Sequence, residues 1–233
     1  MPPKKKTEIV IKEPAIDKNP WKLAANNIQD KLEVLVKDTK LDIDKKDDQG
    51  ISPLLWSVKF GHEDMTKYLL SIGADIETAG FGGMRCLHIA SANIKEGLVA
   101  ILLEHGASPD SVDDVGNTAM HWASARGVLN IVIRLCSKDA STTIQNKQGV
   151  TAFHKACLFG QLAVARKLLD NGADLHAADA EGNTGLHMAS RVGFGTVVSF
   201  LMAQGADQSA ANKDGKTAKD LALDSHITGL FGP

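Results

Sequence analysis

Gly116-Asn117-Thr118-Ala119-Met120-His121-Trp122-Ala123 is the stretch that decides the fold, because its parts come back in phase at one fixed interval along the chain. The glycine returns as Gly50, Gly83, Gly149, Gly182 and Gly215, and two positions after each stands Ser52, Arg85, Thr151, Thr184 or Thr217. The Met-His step returns as Leu87-His88, Phe153-His154 and Leu186-His187, each followed at the same offset by Ala90, Ala156 or Ala189. Further along each unit, Leu69-Leu70, Leu102-Leu103, Leu168-Leu169 and Leu201-Met202 lead to Gly73, Gly106, Gly172 and Gly205. A fixed period of about 33 residues is the signature of a stacked repeat and sets the architecture before local propensity is consulted.

Each unit reads as a short helix, a tight connection, a second helix ended by glycine, and a polar turn into the next unit. Glycine at the stop has a backbone reason: the left-handed conformation that ends a helix is open to it at little cost. Asp139 stands in that place in the third full repeat, and Asp tolerates the conformation better than most residues; a looser stop is expected there. The recurrent Thr is expected to cap, its hydroxyl accepting from a first-turn N–H.

These residues resemble the ankyrin family, whose unit has this length and a Thr-Pro-Leu-His-x-Ala signature. The resemblance implies an all-α solenoid of paired antiparallel helices joined by short β-turn or hairpin connections. It divides the chain into an extended basic tail over 1–16, a divergent capping repeat over 17–46, five repeats over 47–214 (about 47–79, 80–112, 113–145, 146–178 and 179–211), and a partial closing repeat over 212–233. In the divergent repeat Asn19-Pro20-Trp21 falls one full period before Ser52-Pro53-Leu54, with Ala24 in the alanine phase and Val36 in the leucine phase. Trp21 is therefore expected to be buried, closing the N-terminal end. Only Pro20 and Pro53 keep the signature proline, and Arg85-Cys86 replaces Thr-Pro, which should weaken the local cap.

Composition narrows the function. A formal charge of −2 lacks the basic surplus of a nucleic-acid binder, no apolar run is long enough to span a bilayer, and no hydrophobic segment follows the N-terminal lysines as a leader would require. Cytoplasm or nucleus is the expected location. Cys86, Cys136 and Cys157 fall in no C-x-x-C pair, as suits small apolar groups in a reducing compartment.

The column His88, His121, His154 and His187 invites a metal reading, but packed helices lie roughly 8–10 Å apart and ligand bonds are about 2 Å, so equivalent residues of successive repeats cannot share one ion. In the family this His bonds loop backbone across the junction, and that structural role is expected here. His62, His105, His176 and His226 read as ordinary surface residues. No nucleophile elbow or phosphate loop is present; Gly215-Lys216-Thr217 matches only the end of the latter. No enzyme activity, cofactor or metal is expected.

Function then rests on positions the repeat leaves free. In the family, partners lie along the concave side, against turn tips and the exposed face of each first helix. Carried over by position, this implies a protein-binding set of Trp56, Phe60, Phe81, Met84, Trp122, Arg126, Leu158, Phe159 and Arg191, with Ile89, Lys155 and Met188 in the phase of the two tryptophans. Large apolar groups interspersed with arginine match the composition of interface hot spots. The expectation is an adaptor, monomeric by itself, that holds one or a few protein partners.

Two narrower readings stay open. Thr118-Ala119-Met120-His121 and Ala140-Ser141-Thr142-Thr143-Ile144-Gln145 resemble ankyrin chaperones of proteasomal ATPase subunits. The tail, with Lys4-Lys5-Lys6 and alternating Ile9 and Ile11, is solvated, a weak import signal, or laid on an acidic partner such as a microtubule or axonemal assembly.

Overall fold

The sequence period becomes a stack of helix pairs. The computed structural model describes residues 19–39 and 41–232, so the tail expectation lies outside the described residues. In chain order the helices are α1 (Pro20–Ala25), α2 (Gln29–Asp38), α3 (Pro53–Phe60), α4 (Glu63–Ser71), α5 (Cys86–Ala92), α6 (Glu96–Glu104), α7 (Ala119–Arg126), α8 (Leu129–Cys136), α9 (Ala152–Leu158), α10 (Leu162–Asp170), α11 (Gly185–Val192), α12 (Gly195–Ala203) and α13 (Ser225–Leu230). Two isolated antiparallel bridges, Ala178 with Thr184 and Ala211 with Thr217, are the only β pairing among the described residues.

The core is two columns of equivalent side chains rather than one centre. Leu54, Leu87, Met120, Phe153 and Leu186 bury one face of successive first helices, and Leu69, Leu102, Leu135, Leu168 and Leu201 do the same on the second helices. Each unit therefore completes its apolar face only against its neighbours. First helices pack on one another more closely than second helices do, so the stack curves with α3, α5, α7, α9 and α11 on its inner side.

Turn tips form a backbone ladder. Asp114, Lys147, Ala180 and Lys213 donate N–H to the carbonyls of Gly82, Val115, Gln148 and Glu181, each at 2.9 Å. Within a tip the leading Asp or Asn organises the loop: Oδ1 of Asp113, Asn146, Asp179 and Asn212 accepts from the N–H groups two and four residues on. The glycine of each tip takes positive φ. At Gly149 a Cβ would also sit 2.5 Å from the Ala180 nitrogen, whereas at Gly50 it would meet nothing within 4 Å. Both substitutions to Ala incur the left-handed penalty of roughly 1–2 kcal/mol, but only Gly149→Ala also pushes a ladder strand away. Thermal unfolding should show a distinctly larger Tm drop for Gly149→Ala; equal drops would deny the ladder its role.

Asp139 takes the glycine position at φ 57°, as its place in the repeat required. Ile94 is less comfortable: φ is 60° where Gly61, Gly127, Gly160 and Gly193 stand in other repeats, a costly conformation for a β-branched side chain.

The caps depart from expectation in being shared with the histidines. Thr151 Oγ1 accepts from His154 N at 3.3 Å. At Thr118 and Thr184 the arrangement is a reciprocal box with the histidine three residues on, and the short contact of each hydroxyl, 2.9 Å, is to Nδ1 of His121 or His187. Arg85 has no side-chain acceptor to offer, and its guanidinium reaches the carbonyls of Glu77 and Val112 and the Glu77 carboxylate, tying the first full repeat to the second.

Each histidine of the column is fully used by backbone. Nδ1 of His88, His121, His154 and His187 accepts from the N–H of Arg85, Thr118, Thr151 and Thr184 at 3.0–3.1 Å. Nε2 donates across the junction to carbonyls, for His121 that of Val150 at 2.9 Å. An acceptor Nδ1 and a donor Nε2 define the neutral imidazole.

The worn first repeat also corrects two expectations. Trp21 is only partly buried, with Leu23 and Ala24 in the core places, and its indole N–H donates to the Lys45 carbonyl at 2.8 Å. His62 is no plain surface residue, since Nε2 bonds the Ala25 carbonyl at 2.9 Å and couples the first two repeats. Cys86 and Cys157 are buried as expected; Cys136 is only partly so.

Candidate partner-binding face

Two grooves open on the inner side, one on each flank of α3. The first, about 420 Å³, is lined by Trp21, Trp56 and Phe60 with Asp47 and Asp48 on its rim. The second, about 250 Å³, is lined by Leu55, Lys59, Phe81, Met84 and Ile89. Helical spacing explains the division. Trp56 and Phe60 are one turn apart and face one flank, while Leu55 and Lys59, also one turn apart, face the other.

The aromatic ridge is held in place. Trp56 and Phe60 stack with centroids 5.5 Å apart and planes 9° apart, the Trp56 indole donates to Asp47 Oδ2 at 2.7 Å, and Lys59 Nζ lies 4.5 Å above the Trp56 ring. Burial pushes the Asp47 carboxyl up, but bonds from the Ile51 N–H, the Trp56 indole and the Gln49 N–H, with nearby Lys59, bring it net below the usual carboxylate range. The same device recurs two repeats on, where Trp122 donates to Asp113 Oδ2 at 3.1 Å.

Phe81 stands on a tip that lacks the side-chain acceptor of the others. Gly80 stands where every other tip has Asp or Asn, so no side chain accepts the loop N–H groups; the tip becomes a short 3-10 turn over Phe81–Gly83, in which the Gly80 and Phe81 carbonyls accept from the N–H groups of Gly83 and Met84. Among the described residues the Phe81 N–H makes no ladder bond to Gln49, the one rung absent from the series. Phe81 is left 83% exposed at the mouth of the second groove.

The structure thus joins Trp56 with Phe60, and Phe81 with Met84, within one half of the stack. Trp122 is partly buried, Arg126 and Arg191 are exposed, Leu158 is partly buried and Phe159 is 48% exposed; these five line neither groove. Met188 is buried at 3% and leaves the candidate face. Sequence reasoning missed Trp21 and Asp47 as parts of the site, whereas Lys59 is named with Phe60 by its place just before the helix–helix connection. The step from Asp47 to Trp56, repeated unchanged from Asp113 to Trp122, was the signal for the carboxylate–indole pair.

No helix among the described residues is long and apolar enough to cross a membrane. The family model for ankyrin repeats in three copies matches residues 21–113 and 87–179, and that for ankyrin repeats in many copies matches 160–202. No protein with a curated description matches the sequence. Among solved structures, the ankyrin repeat domain of Bcl-3, a member of the IkappaB family, superposes with a TM-score of 0.80 at 21% identity, covering 92% of this chain and 97% of that one. The ankyrin repeat domain of human ASB11 superposes with a TM-score of 0.80 at 25% identity, covering 92% and 98%. With matches spanning most of its repeats and the fold shared over nearly its whole described length, this chain belongs to the ankyrin repeat family.

Proposed function

We propose that the chain is a non-enzymatic adaptor that holds a protein partner on the inner face of its N-terminal half, with Trp56, Phe60, Phe81 and Met84 as anchors. Ankyrin repeats in general mediate protein–protein interaction. The observation that carries the placement is Phe81, 83% exposed beside an apolar groove at a tip position where the other repeats carry Asp48, Asp114, Lys147, Ala180 or Lys213. Large exposed aromatics next to preformed apolar clefts are what binding hot spots use, and Trp122, Arg126, Leu158, Phe159 and Arg191 extend the contact along the same side.

Site-specific photo-crosslinking tests this. A benzophenone amino acid replacing Phe81 should give discrete higher-mass adducts in native extract, while the same group replacing Ile133, on the exposed side of α8 and 42% exposed, should not. Equal adducts at both places would refute the assignment to the inner face.

A further inference from the structure

We infer that the groove between α1 and α3 is a cation site, which receives the ammonium group of a lysine side chain from a protein partner. Three aromatic rings, Trp21, Trp56 and Phe60, line it together with Asp47 and Asp48. Aromatic faces attract cations through their quadrupole, and a small aromatic enclosure is the usual means of holding an alkylammonium ion. The rings are preorganised: both indole N–H groups are already bonded, Trp21 to the Lys45 carbonyl and Trp56 to Asp47, and Phe60 is stacked on Trp56. Within the chain itself Lys59 already rests its ammonium on Trp56 at 4.5 Å.

Charge points the same way. The Asp47 carboxylate is occupied by Trp56 and its own loop and faces Lys59, whereas the exposed Asp48 carboxylate accepts no hydrogen bond among the described residues and borders the same groove. The equivalent place two repeats on is the natural comparison. There the pair Asp113–Trp122 is repeated, but Arg126 stands in the phase of Phe60, so that place lacks the second ring. The first groove has three rings and the Asp48 carboxylate together.

The inference deepens the partner reading, yet its test needs no partner. The ¹⁵N-labelled full chain is titrated with tetramethylammonium chloride, with neopentyl alcohol as the uncharged isostere and sodium chloride as the ionic-strength control. The indole N–H signals of Trp21 and Trp56 should shift saturably with tetramethylammonium alone, the Trp122 signal should stay still, and Asp48→Asn should weaken the effect several-fold. No shift, an equal shift with neopentyl alcohol, or an equal shift at Trp122 would overturn the site. These failures would leave the crosslinking result at Phe81 untouched. If Lys4, Lys5 and Lys6 together replaced by Gln tighten tetramethylammonium binding, the occupant is the chain's own tail and the partner assignment is overturned; unchanged binding supports it.

Discussion

Acidification from pH 7 to pH 4 is expected to remove about 3 kcal/mol of stability through His121 alone. Burial holds this imidazole down to about 4 from an ordinary 6.5, outweighing the opposing bond to the Val150 carbonyl. Each unit of difference between the folded and unfolded states is worth about 1.36 kcal/mol. Between pH 6.5 and pH 4 the unfolded chain binds the proton and the folded chain does not, so stability falls as pH falls. Geometry says why the proton is refused: Nδ1 must accept the Thr118 N–H, and protonation would set two donors against each other. His88 and His154 are displaced in the same direction, again chiefly by burial. Asp47, Asp207 and Asp220 are lowered from 3.8 and act only below that value, so the two windows separate. Urea unfolding followed between pH 7 and pH 4.5 should show a steep decline that His121→Gln makes shallower. A flat profile over that range would mean the column is not buried neutral.

The fold was legible because the period repeats the same physical demand many times. Any one worn element, such as Asp139 in the glycine place or Arg85 in the Thr place, is outvoted by its equivalents. The histidine column was readable on the same ground, since equivalent residues one helix apart cannot converge on an ion. The first repeat was misread for the converse reason. Its helical hairpin turns at Asn27, just ahead of the equivalent of Gly61, and a strict shift by one period placed Trp21 in the core when Leu23 and Ala24 fill it. Met188 shares a phase with Trp56 and Trp122, and phase alone could not show that its side chain is covered in the later repeat.

The candidate face was half legible. Exposed apolar residues on first helices could be named by register, and Phe60, Phe81 and Phe159 are indeed exposed. What register could not convey was the consequence of an absence: Gly80 lacks the side-chain acceptor of the other tips, and its tip makes a 3-10 turn without the ladder bond to Gln49. Nor could it convey that α3 separates two grooves, because that depends on which flank of one short helix each neighbour leaves open.

Partner affinity should fall at least about 100-fold when Phe60 and Phe81 are both replaced by Ser. Interface anchors of this type each contribute on the order of 2 kcal/mol or more, and each 1.4 kcal/mol is about tenfold in affinity, so incomplete additivity still leaves two orders of magnitude. Stability should barely move, since Phe60 is 50% and Phe81 83% exposed and neither belongs to the buried columns. The measurement is affinity capture from native extract with the intact chain and the double variant side by side, bound proteins being quantified by mass spectrometry and both chains melted in parallel. A stoichiometric protein held by the intact chain and lost from an equally stable double variant is the predicted result; the same protein retained by both would contradict the inner face of the N-terminal half as the binding surface.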